Sequence, residues 1–144
     1  MQPWQLASLG AAAFIAIHYM FVRAASGRIG DSLGAFVLEA TAAVGIALTF
    51  GAGFRGETVP TTRAGLAYSA LSGLCISGAS ILLFYALRRG GPVASTGTMV
   101  LGGGVTLSAF AAPWIFGEAW TLRRGLGVAL GIAGMFLLAT EARD

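Results

Sequence analysis

The stretch Leu82-Leu83-Phe84-Tyr85-Ala86-Leu87-Arg88-Arg89-Gly90-Gly91-Pro92-Val93-Ala94 decides the fold. An apolar run that begins at Ala64 stops on two arginines, and a second run opens at Pro92 and continues to Phe116. Glycine between them can take positive φ, and proline suits the opening of a helix. A helix needs about 20 mostly apolar residues to cross the hydrocarbon core of a bilayer. Both runs reach that length. The motif reads as helix, charged stop, helix, within a membrane.

The same pattern repeats outward from this hairpin. Five spans are expected, over residues 4–22, 32–54, 64–87, 92–116 and 122–140. Ser26-Gly27-Arg28 and Gly30-Asp31 separate the first two, and Arg55-Gly56-Glu57-Thr58-Val59-Pro60 separates the next two. Gly117-Glu118 breaks the fourth from the fifth, with Thr121 placed to cap the last helix. Open strands and irregular loops cannot face lipid. The short period-two segments of a β-barrel are absent from the pattern. The expected class is therefore all-α and integral to the membrane, a five-transmembrane-helix bundle forming one domain over residues 1–144.

Composition agrees. Hydrophobic residues make up 56% of the chain and charged residues 10%, with a mean hydropathy of +0.79. A soluble domain carries about a quarter charged residues. The pI near 9.8 does not point to nucleic acid, because the charges sit singly or in pairs at span ends. Residues 1–20 hold no Lys or Arg, and Arg23 and Arg28 follow the apolar run. A signal peptide has the opposite order, so the first span is expected to be retained. Cys75 is the single cysteine and has no intrachain partner. One His and one Cys, with no HExxH, GxSxG or phosphate loop, give no catalytic constellation. Glu39 and His18 alone are too few ligands for a metal. Neither an enzyme nor a cofactor is expected.

The basic residues carry a second message. All nine are arginines. Counted by alternate gaps, Arg55, Arg63, Arg123 and Arg124 fall on one side, and Arg23, Arg28, Arg88, Arg89 and Arg143 on the other. Basic residues in short loops normally set orientation, and four against five gives almost no instruction. This implies a protein that inserts both ways and pairs with itself antiparallel, or one that pairs with a paralogue of fixed opposite topology. The expected location is a bacterial inner membrane. Trp4, Trp114 and Trp120 all fall near span ends on one face, the interfacial zone that tryptophan favours.

Small residues mark candidate contacts. Gly65, Ser69, Gly73 and Ser77 recur every four residues in the third span, and Gly127, Gly131 and Gly134 share a face of the fifth. Such faces allow close backbone approach in lipid. The third-span face suits packing inside the bundle; the fifth-span face is assigned equally to a dimer contact or to internal packing. In the fourth span Gly102-Gly103-Gly104 lies near the middle and Pro113 near the end. The glycines admit a neighbouring backbone, a hinge or a ligand, and Pro113 leaves the carbonyl of Ala109 without its donor.

Glu39 stands eight residues past Asp31, roughly 12 Å along the helix. A charge at that depth is costly and faces a cavity or a partner. His18 enters from the same side of the first hairpin at similar depth, so the two can pair, hold a proton or balance a charged substrate. With them, Tyr19, Tyr68, Ser72, Thr98, Gly102, Gly103 and Thr106 are the candidate binding residues. Interfacial or purely structural roles remain open for each.

From Phe84 onward the order of motifs resembles a known family. Phe84-Tyr85-Ala86-Leu87, Gly91-Pro92-Val93-Ala94, Phe116-Gly117-Glu118, Gly125-Leu126-Gly127 and Gly131-Ile132-Ala133-Gly134-Met135-Phe136-Leu137-Leu138 are similar to the EamA domain of the drug/metabolite transporter (DMT) superfamily. The likeness covers about 60 residues, and the first two spans match only in length and position. One such domain resembles the single-domain branch and the small multidrug resistance relatives, which work as pairs. The resemblance implies a transporter half-unit that moves a small molecule or metabolite by alternating access. Two departures stand out: the first span holds His18 and no carboxylate, and a triple glycine occupies the region where a central proline is usual. The alternative reading is a non-transporting membrane subunit packed against a larger complex.

The arginine balance is directly testable. C-terminal reporter fusions are expected to be active on both sides of the membrane, and two lysines added after Ala142 are expected to lock one orientation. A wild-type fusion confined to one side rules out the self-paired form.

Overall fold

In the computed structural model, residues 2–53 and 61–141 are described. Phe54, the 55–60 break, Ala142 and Arg143 lie outside them. Helix α1 runs over Pro3–Ala25, α2 over Asp31–Gly51 and α3 over Arg63–Arg88. The fourth span is α4 over Val93–Gly97, a π-helical turn over Thr98–Gly102, and α5 over Gly103–Phe116. Helix α6 covers Leu122–Glu141. Among the described residues, five helices are thus long and apolar enough to cross a membrane, counting the fourth as Val93–Phe116. All five observed spans begin and end within three residues of the expected limits. The chain forms two compact units, Met1–Arg23 with Arg89–Asp144, and Ala24–Arg88.

The Ala24–Arg88 unit is built on the α2–α3 hairpin. Gly34 and Ala35 of α2 are buried, as are Ser80, Leu83, Phe84 and Leu87 of α3. Gly34 leaves room on α2 for the Phe84 ring. A Cβ placed there lies 2.8 Å from Phe84 Cε1 and 3.1 Å from Ile29 Cγ2. The hairpin's polar end is tied by Arg88 and Asp31. Nε donates to Oδ1 at 2.8 Å and Nη2 to Oδ2 at 2.6 Å, a bidentate fork. The same guanidinium lies 5.4 Å from the centre of the Tyr85 ring.

In the other unit, α6 runs along α4, the π turn and α5. Gly90 closes α3 with φ 94° and Gly117 follows α5 with φ 66°, both values that side chains resist. Pro92 stands just before α4 in extended conformation, one residue earlier than a first helical position. Thr121 Oγ1 accepts the Arg124 N–H at 3.2 Å and caps α6. Beside it, Arg124 forms an ion pair with Glu118.

Gly34→Ala is expected to lower the thermal unfolding midpoint in detergent, since overpacking typically costs about 1–3 kcal/mol. Gly45→Ala, whose Cβ meets nothing within 4 Å, is expected to leave the midpoint unchanged or raise it. Equal midpoints for the two variants would show that Phe84 and Ile29 do not pack tightly on Gly34.

Candidate functional site

Helix α2 presents Glu39 two turns beyond Asp31, and α3 runs back past it. Ser80 Oγ donates to Glu39 Oε1 at 2.5 Å, a length usual for a hydroxyl on a carboxylate. Ser80 is only 8% exposed, so this polar contact lies inside the hairpin. A cavity of about 200 Å³ opens against it, lined by Ser32, Ala35, Phe36, Glu39, Ser77 and Ile81. The Ser77 hydroxyl turns back to the Gly73 carbonyl at 2.9 Å, leaving the carboxylate as the strongest acceptor at the cavity wall. Such a site can take a proton or the cationic end of an organic molecule.

Tyr68 is 73% exposed and Ser72 is exposed, and neither lines the Glu39 cavity. His18 belongs to the other unit, half-buried and edge-on to Tyr19 with ring centres 5.5 Å apart. Tyr19 is buried, with its Cε1 3.3 Å from the Cβ position of Gly97.

The triple glycine follows directly on the π turn, a helix irregularity often found at functional positions. Met135 of α6 fills the space the glycines leave, its Cγ 3.5 Å from the Cβ position of Gly102 and its Sδ 3.4 Å from that of Gly103. Gly104 meets nothing within 4 Å. Thr98 is half-buried at the start of the π turn. Thr106 is buried, and its Oγ1 lies 2.6 Å from the Cβ position of Gly131. The glycine face of α6 is therefore used within the chain at Gly131. Gly127 and Gly134 have no neighbour within 4 Å of a built Cβ.

Two features escaped the sequence reading. Ser80 lies three residues past Ser77, off the four-residue stripe, and nothing in the sequence alone singles it out. Phe110, Trp114 and Trp120 gather into one cluster, with ring centres 4.7 to 6.0 Å apart. No protein-family profile, curated protein or solved structure matches the chain.

A double-mutant cycle checks the intrachain use of Gly131. Gly131→Ala is expected to destabilise by about 1–3 kcal/mol through its clash with Thr106. Thr106→Ala in the same chain is expected to restore most of that loss in an unfolding titration. Additive effects would place Gly131 against something other than Thr106.

Proposed function

We propose that this chain is a half-unit of a small-molecule membrane transporter, working as an antiparallel dimer by alternating access. The observation that carries the reading is Glu39, held by the Ser80 hydroxyl at 2.5 Å beside a cavity within the α2–α3 hairpin. A charge near the centre of a membrane helix costs several kcal/mol and usually marks a substrate or proton path. The substrate class is an amphipathic organic molecule or a small metabolite with a group the carboxylate can bind. The EamA-like motif order supports the same reading, as does the arginine balance that lets one chain insert both ways.

In this scheme Glu39 exchanges a substrate group for a proton, and Ser80 holds the carboxylate aimed at the cavity. The π turn and Gly102-Gly103-Gly104 supply the bending point of the fourth span. The many exposed apolar side chains, Phe14, Phe36, Leu74 and Phe136 among them, suit lipid and a second copy.

The rival is a packing subunit without transport. It is favoured by the open small face of α3, where a Cβ at Gly73 meets nothing within 4 Å. Glu39 separates the two. In reconstituted vesicles, Glu39→Gln is expected to abolish pH-dependent uptake or exchange, and Glu39→Asp to retain part of it. A Glu39→Gln protein that transports with the wild-type pH profile would make Glu39 structural.

A further inference from the structure

A second cavity lies between α5 and α6, in the unit that lacks Glu39. It measures about 330 Å³ and is lined by Val105, Thr106, Ala109, Arg124, Gly127 and Val128. Its chemistry is graded along its length. Val105, Ala109, Gly127 and Val128 offer no charge and only one hydroxyl, Thr106, lies among them. Thr106 faces Gly131, at the end away from the α5–α6 loop.

At the loop end stands Arg124. Its Nη2 pairs with Glu118 and its Nη1 donates to the Ala119 carbonyl at 3.2 Å, so the guanidinium is held at the mouth. Arg123 is its neighbour in sequence and is exposed. Two arginines against one carboxylate leave one positive charge there. The Phe110, Trp114 and Trp120 cluster is at the same end of the α5–α6 hairpin, and Trp114 and Trp120 are both exposed, Trp114 the more so. Exposed tryptophans at a span end mark headgroup depth. An apolar groove that runs inward from a cationic mouth at headgroup depth matches one molecule: a lipid with an anionic head and an acyl chain.

We propose that the α5–α6 groove is a binding site for an anionic phospholipid, its acyl chain along Ala109, Gly127 and Val128 and its phosphate at Arg123 and Arg124. The assignment stands independently of Glu39. Glycine at 127 matters because it leaves the groove open, and the space is real: a Cβ there meets nothing within 4 Å. A side chain at this position fills the groove without disturbing a neighbour.

Tryptophan quenching reads the site in the full-length chain. Trp4→Phe leaves Trp114 and Trp120 as reporters. The protein is reconstituted in phosphatidylcholine bilayers with increasing phosphatidylglycerol, one or the other brominated on its acyl chain. Brominated phosphatidylglycerol is expected to quench at about five-fold lower mole fraction than brominated phosphatidylcholine, the preference that one net surface charge supplies. Arg123→Gln is expected to bring the two lipids to parity. Gly127→Leu is expected to weaken quenching by phosphatidylglycerol while the thermal midpoint stays at the wild-type value. Parity in the unmutated chain would overturn the proposal. So would loss of the preference on adding millimolar inorganic phosphate, which would make a free anion the ligand. A Gly127→Leu chain with the wild-type quenching curve but an altered monomer–dimer balance would give the groove to a second copy instead.

Discussion

Backbone amides in hydrocarbon have no water to turn to, and this constraint shapes everything else in the chain. Each unpaired N–H or C=O there costs several kcal/mol. The sequence meets the demand with five helices long enough to cross a bilayer. Within those spans, the described residues change helical frame at the π turn over Thr98–Gly102, and Pro113 inside α5 withholds one donor from the ladder. The π turn keeps its amides bonded while changing the hydrogen-bond frame, so the irregularity avoids the cost of an open loop.

Helices that satisfy their own backbones still need a reason to associate. Burial of apolar area does not supply it in lipid, where the tails are as apolar as leucine. The buried apolar set among the described residues is accordingly small: Tyr19, Val22, Ala35, Leu83, Phe84 and Leu87. Close approach and polar links take over. Gly34 lets Phe84 lie against α2, and Gly131 lets Thr106 lie against α6. The α2–α3 hairpin adds the Asp31–Arg88 fork and the Glu39–Ser80 bond. The α5–α6 hairpin adds Glu118–Arg124 at its turn.

Span limits were legible because hydropathy and turn chemistry are local properties. Gly90 and Gly117, read as breaks, take the positive φ that glycine allows. Glu39 was legible for the opposite reason, as a charge where its surroundings forbid one. Its partner was not. A serine in an apolar helix is common and carries no signal until the facing helix is known. Tyr68 and Ser72 lie on α3 with Ser80, yet helical rotation turns them away from the Glu39 cavity. The π turn was also invisible, because composition does not record a hydrogen-bond frame. The triple glycine located it to within a few residues but did not name it.

The fourth span joins two differently held parts. Gly97, at the end of α4, rests against the Tyr19 ring of α1, whereas Thr106 of α5 rests against Gly131 of α6. The π turn and three glycines fall between these contacts. Each interior glycine costs about 1 kcal/mol against alanine in a helix, so the segment is soft by composition as well as by geometry. Helix α6 spans the junction, and a rigid side chain there would lock it. The side chain it presents there is Met135, unbranched and able to repack as its neighbours move. A branched residue at that point would key the two halves together. Methionine fills the space left by Gly102 and Gly103 without keying the two halves together.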